Sequence, residues 1–337
     1  MANSQGTQRS VALSKETTFG TKPAKNTAKL FPRIETSLNV NFDAFQSEEI
    51  RTDMQRAASI VGFEKVEGDV KGELAAGQWA WAFAAALRGA FGAEAKPPII
   101  KKTANGQGEK NGKILVVPQM AHTTDSFTIE DWFKDIGLSR QYLGCRVSKL
   151  SLEVEPNGIA SVTVTFLGQR GEESATQYFT SPPTIAQSGK LAGVKGSLQL
   201  NKQQMALITS FKLDIDLNAS SEAVLGATYA PDVFIGTVAV SGSFTMYLQN
   251  KAMIDAVRLG TNLSLALRMD AETANNSDYM AIILPAIKVT SSEIDDGAKN
   301  LMQTLNFDAF PGVWDAASTI DDRLKVATTM IVQDTLA

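Results

Sequence analysis

His122 is the only histidine and Cys145 the only cysteine in 337 residues. A Ser-His-Asp or Cys-His arrangement would have to run through one of them. Neither lies in a nucleophile signature, and no G-x-S-x-G elbow is present. A metal centre built on histidine and cysteine fails by number, which leaves only carboxylate sites for hard cations. Asp295 and Asp296 are adjacent acids of that kind, but they precede Gly297 and read more simply as a turn. No phosphate-cradling glycine loop or dinucleotide fingerprint follows a strand pattern. The chain is therefore expected to have no catalytic residue, no metal ligand set and no cofactor.

Without a reactive centre, the elements themselves carry the information. Hydrophobic residues make up 44% and charged residues 20%, a balance suited to a globular protein, and the length allows about two domains with cores of their own. A net charge of -4 argues against wrapping nucleic acid through its phosphates, which needs clustered Lys and Arg. A single cysteine cannot form an intrachain disulfide. The N-terminal MANSQGTQRS has no apolar core of a secretory signal, and no apolar run reaches bilayer length, so folding in a cytoplasm without membrane insertion is expected.

Alternation with a period of two dominates. SFKLDIDL places Phe211, Leu213, Ile215 and Leu217 on one strand face, and VAVSGSFTMYL (238–248) and a short helical pattern ending at Gly260 follow it. An earlier copy runs in the same order: SLNVNF (37–42), the Ser47-Glu48 pair that matches Ser221-Glu222, VEGDVKGEL (66–74), then a helix closing on Gly89. In this alignment Val70 and Gly72 stand where Val240 and Gly242 stand. The repeat implies an internal duplication: an N-terminal arm over 1–33, a first β unit over 34–180 and a second over 181–337. Further strands are expected over 126–133, 146–155, 159–168, 262–270, 279–294, 299–310 and 326–335, with a Pro156-Asn157-Gly158 hairpin turn. The fold class is mainly β, two tandem sandwich or barrel-like units each flanked by a short α-helix.

Between the early strands, Gln46 to Phe63 reads as a long exposed loop. The segment Ala75 to Phe91 places Trp79, Phe83, Ala86 and Leu87 on one helical face, a core pattern rather than a binding platform. The lysine-rich stretch 97–113 has no interleaved aromatic residues for stacking on bases and reads as a solvated loop or subunit contact.

Several segments, in order, resemble the major tail tube proteins of long, non-contractile-tailed bacteriophages: KETTFGT (15–21), QSEEI (46–50), VEGDVKGEL, SFTIED (126–131), YLGCRVSKLSL (142–152) and GSFTMYL (242–248). The resemblance implies two packed β-sheets with a flanking helix, assembled as a homo-oligomer into stacked rings that conduct double-stranded DNA during ejection. Six single-unit subunits would make such a ring, so a duplicated chain implies trimeric, pseudo-sixfold rings. It also implies tape-measure, tail-tip and tail-terminator proteins as partners, the virion tail as location, and assembly in the host cytoplasm. A conduit should not hold phosphate, so acids on alternating strand positions become candidates for its lumen: Asp69, Glu73, Glu153, Glu155, Asp214 and Asp216. The exposed loop supplies candidates for contact between rings: Gln46, Glu48, Glu49, Arg51, Asp53 and Arg56. Two other readings remain: a carbohydrate- or host-binding β-sandwich, which would show clustered exposed aromatics, and a hydrolase with paired carboxylates.

Overall fold

The computed structural model describes residues 4–56, 58–99, 109–205, 207–248, 251–273, 276–296, 300–318 and 320–337. Its strands of four or more residues are β1 (Arg9–Lys15), β2 (Asn39–Phe45), β3 (Ile60–Glu73), β4 (Gly112–Val116), β5 (Phe127–Phe133), β6 (Leu138–Val154), β7 (Ser161–Gly168), β8 (Arg170–Ser174), β9 (Gly196–Leu200), β10 (Ile208–Asp216), β11 (Ala239–Tyr247), β12 (Leu263–Asp270), β13 (Tyr279–Ile294), β14 (Met302–Phe310) and β15 (Ile331–Asp334). Helix α1 (Ala80–Ala86) follows β3, and α2 (Ala252–Leu259) follows β11.

One antiparallel sheet of eight strands runs β2-β3-β7-β6-β10-β11-β14-β13. Its alternating strands bury one face only. In β10, Phe211, Leu213 and Ile215 are buried while Lys212 and Asp216 are exposed. The second layer comes from the first halves of the two longest strands. Residues 138–145 of β6 pair with β5 and β8, and β1 lies beyond β5. The first half of β13 pairs with β12 and β15, with β9 beyond β12. There the sequence YMAIILP is buried residue after residue, the continuous apolar pattern of a strand covered on both faces.

With β4 set aside, the two runs β1-β2-β3-α1-β5-β6-β7-β8 and β9-β10-β11-α2-β12-β13-β14-β15 make their strand pairings in the same order. β4 stands apart from its own run, pairing β15 across 215 residues (331 − 116) of chain. The register also corrects the alignment read from the sequence. Phe166 stands opposite Gly68 and Phe307 opposite Gly242, so Gly68 is the counterpart of Gly242 and Val66 that of Val240. A slip of four residues, like any even slip, keeps every side chain on its face, so alternation alone could not detect it. Gly242 has its own packing reason: a Cβ there would come within 2.6 Å of the Phe307 ring.

Two sequence expectations change at their edges. Ile60 to Phe63 belongs to β3 rather than to the loop, and within the arm Arg9–Lys15 is a strand of the body, β1, paired along its whole length with β5. The helix is shorter than its apolar pattern, Ala80–Ala86, because Arg88 turns to a left-handed φ of 53° just after it. Trp79, Phe83 and Leu87 are buried as expected. Trp79 meets Phe31 edge-on with ring centroids 4.6 Å apart, and Gly72 leaves the space that its indole fills.

Glu16 ties β1 to this body. The carboxylate is buried and accepts hydrogen bonds from the Gly20 N–H (2.9 Å), the Ser126 hydroxyl (2.7 Å), the Thr128 hydroxyl (2.7 Å) and the Gly144 N–H (2.9 Å). Gly20 and Gly144 both have positive φ, 67° and 63°, which aims their amides at it. Glu16→Ala would orphan four buried donors, and we expect a loss of about 3 kcal/mol or more in urea denaturation. Glu153→Ala removes an exposed ion pair and should cost about 1 kcal/mol or less in the same measurement.

Asp334 closes the C-terminus onto the helix entry. Its carboxylate accepts from the Gly77 N–H and the Leu336 N–H, both at 2.8 Å, and burial pushes its pKa up to about 6. The folded state therefore holds a proton that the unfolded chain, near 3.8, releases. Stability should fall as pH rises from about 4 to about 6, by on the order of 3 kcal/mol. Chemical denaturation across that window should show the slope in the wild type and its loss in Asp334→Asn.

Candidate functional site

Each of the eight long-sheet strands places its odd or even positions on a common outer face, and the register turns these into rungs. One rung runs Asp69, Thr165, Lys149, Asp216. The next runs Lys71, Thr163, Ser151, Asp214, Ser241, Asp308, and a third Glu73, Ser161, Glu153, Lys212, Ser243, Asn306. The first rung ends on the small exposed Ala239 opposite Asp216, and the other two carry no apolar side chain.

Five of the six acids singled out from the sequence, Asp69, Glu73, Glu153, Asp214 and Asp216, thus share this face across both runs of the chain. Glu155 lies past the end of β6, exposed in the turn before Pro156. The lysines are what the sequence reading missed. Lys71, Lys149 and Lys212 occupy the same parity as the acids, and the spacing Lys149-Ser151-Glu153 and Lys212-Asp214-Asp216 already held that signal.

Two of these lysines are held in ion pairs. Lys212 pairs with Glu153 at 3.3 Å and Lys149 with Asp214 at 3.4 Å, both across the β6–β10 junction, and Asp214 also accepts from the Ser151 hydroxyl at 2.5 Å. Glu73 lies 3.7 Å from Lys190. The Asp69 backbone N–H donates to the Ser37 hydroxyl, and the Asp216 carboxylate caps the turn by accepting from the Asn218 N–H. The face is a mesh of alternating charge with an excess of acid, rather than the purely acidic or neutral surface the sequence suggested. A polyanion lying against it meets Lys149 and Lys212 with their charge already matched.

Behind the junction, the segment between β10 and β11 folds back over β6. Arg146 donates to the Val233 carbonyl, pairs with Asp232 at 2.9 Å and lies over the Phe19 ring, while the Glu64 N–H bonds the Thr228 carbonyl. Among the described residues, the corresponding segment between β2 and β3 makes no comparable contact. Gln46, Glu48, Glu49, Arg51, Asp53 and Arg56 are all exposed there, and Ile50 and Met54 are almost wholly so. Its local order comes from Arg51, which grips Asp53 at 2.6 Å and holds that carboxylate below its usual pKa. Phe42, Phe45, Ile60 and Val61 stand exposed at the base of this hairpin.

The sheet has two open edges. Among the described residues, β2 pairs on one side only, with β3, and residues 288–294 of β13 pair on one side only, with β14. Unpaired strand edges of this length are usually covered or used.

Other chemistry finds little support in the arrangement. Cys145 is fully buried and its thiol is pushed well up by burial, helped by the charge of Glu16, the environment of an inert thiol. His122 is exposed. Among the described residues no three His, Cys, Asp or Glu gather to hold a metal ion. Trp79 and Trp314 are buried, and Trp81 and Trp132 half-buried, so the tryptophans form no exposed platform for a sugar ring.

No curated protein matches the chain. A protein-family model described as phage tail tube protein matches residues 6–309.

Proposed function

The chain belongs to the phage tail tube protein family, and from that premise we propose that copies of it close into rings, that the rings stack into the tail tube, and that double-stranded DNA passes through the channel on ejection. Membership makes it a structural protein of the virion tail that assembles into a multimeric tube with other tail proteins. The observation that carries the ring reading is the eight-stranded sheet with one polar face and two open edges. Joining edge to edge satisfies both rows of unpaired backbone groups and turns the polar face onto a common axis.

The repeated order of strand pairings supports an internal duplication, and with it three chains per ring, each supplying two units. Three sheets bring 3 × 8 = 24 strands. At a strand spacing of about 4.8 Å that circumference spans at least about 37 Å between backbones, whereas a closed eight-stranded barrel is filled by its own side chains. Asp69, Glu73, Glu153, Asp214 and Asp216 then line the channel, interleaved with lysines, and the exposed 46–56 segment reaches the neighbouring ring. Nothing in this role requires catalysis or a cofactor. The tape-measure, tail-tip and tail-terminator proteins are the partners such a tube would meet, with assembly in the host cytoplasm.

Electron microscopy of concentrated purified protein, with end views classified by symmetry, tests the reading. Hollow tubes with three chains per ring are expected; six chains per ring would remove the duplication argument, and solid or open sheets would remove the channel. The charge argument has its own test. Replacing Asp69, Asp214 and Asp216 by lysine should raise duplex DNA retention by assembled protein about tenfold or more, with a steep salt dependence that the wild type lacks.

A further inference from the structure

The β6–β10 junction inside one chain has a counterpart that one chain cannot make. Both runs carry one extra residue on the long strand of their β6–β7 or β13–β14 hairpin: Ser148 between Lys149 opposite Thr165 and Val147 opposite Phe166, and Thr290 between Ser291 opposite Asn306 and Val289 opposite Phe307. Aligning these bulges places each β13 residue 142 after its β6 counterpart, since 290 − 148 = 142. On the other side, Thr36 and Val40 stand opposite Val70 and Val66, as Phe211 and Ile215 stand opposite Phe244 and Val240. That places each β10 residue 175 after its counterpart beside β3, since 211 − 36 = 175.

Within the chain, Leu213 stands opposite Leu152, Asp214 opposite Ser151, Ile215 opposite Leu150 and Asp216 opposite Lys149. We infer that the open edge of β2 in one copy of the chain pairs antiparallel with the open edge of β13 in a second copy, with Leu38 opposite Ile294, Asn39 opposite Glu293, Val40 opposite Ser292 and Asn41 opposite Ser291. This deepens the ring reading above and rests on it.

The two edges suit each other better than either suits itself. Ile294 is 46% exposed, while its counterpart Leu152 is fully buried by Leu213 and its neighbours, so the inferred register covers an apolar side chain that the single chain leaves in water. On the polar face this edge presents Glu293 of β13 and Asp295 just past its end. Two β13 edges paired antiparallel would bring these acids together, a destabilising arrangement. The β2 edge meets them with Ser37, Asn39 and Asn41, which carry no charge. Unlike edges make a head-to-tail contact, which closes rings instead of stopping at a dimer. The ion pairs Lys212–Glu153 and Lys149–Asp214 that brace the internal junction have no counterpart here, so this seam depends on backbone bonds and Ile294.

The register fixes a cross-linking experiment. The Leu217 N–H bonds the Ser148 carbonyl at 3.0 Å, which makes Asp214 and Ser151 a non-hydrogen-bonded pair. Their counterparts Asn39 and Glu293 then have Cα atoms about 4.5 Å apart, within disulfide reach. Cys145 is buried and contributes little background. Assembled Asn39→Cys/Glu293→Cys protein should give covalent multimers on oxidation that reduction returns to monomer. The Asn39→Cys/Ser291→Cys pair, displaced by two residues, should give at least tenfold less. As an independent variant, Ile294→Asp should leave the Tm of the isolated chain unchanged and abolish assembly. Tubes that form without cross-linking in the first pair, or with preferential cross-linking in the displaced pair, overturn the register and leave the tube reading standing. If microscopy shows no assemblies and neither pair yields multimers, the tube reading fails and the inferred seam fails with it.

Discussion

Backbone N–H and C=O groups at the edge of a sheet need partners, and the architecture of this chain follows from how it meets that need. Inside the chain the edges of the two runs are joined: β10 lies beside β6, and a sheet that could have ended there continues across eight strands. What is left is one open edge at each end of the series, on β2 and on β13. A wide sheet with a polar side and two unsatisfied ends is the shape that the proposed ring closure would join edge to edge.

The long strands reconcile this sheet with the need for a core. β6 and β13 each serve two layers, alternating where one face is wet and continuously apolar where both faces are covered. Buried polar groups lock the layers at a few points. Glu16 collects four donors around β1, β5 and β6, Arg9 pairs with Asp131, and Arg268 meets both Glu109 and Asp270. Such clusters add specificity of packing only while every member is satisfied. The outer face is built differently, from exposed pairs that add little stability each and instead set the charge that a neighbouring polyanion would meet.

The same chain therefore separates its buried polar contacts from its surface charge by layer. Substitutions at Glu16 or Trp79 act on the fold, whereas substitutions at Asp214 or Lys212 act on the surface. The hairpin between β2 and β3 is the clearest departure from a self-sufficient globule. Its counterpart between β10 and β11 lies down on β6 and buries Val233, while Phe42, Phe45, Ile60 and Val61 remain in water. An apolar surface of that kind is what a protein carries when part of its environment is other copies of itself.

The sequence alone determined the mainly β class, most strand positions, the helix after each early strand pair, the faces of β10 and of the Trp79 helix, and the family resemblance. These rest on local periodicity, which neighbouring residues encode. It also determined which acids share parity along each strand, and the interleaved lysines were readable by the same rule. Register was decided by tertiary structure: Gly68 rather than Gly72 matches Gly242, because a shift of four, being even, leaves the pattern of faces unchanged. Only the folded chain could bring β1 against β5 and β4 against β15, since pairings across more than a hundred residues leave no trace in local spacing. The open edges, too, became visible only there, because an edge is defined by the partner that every other strand of the chain fails to supply.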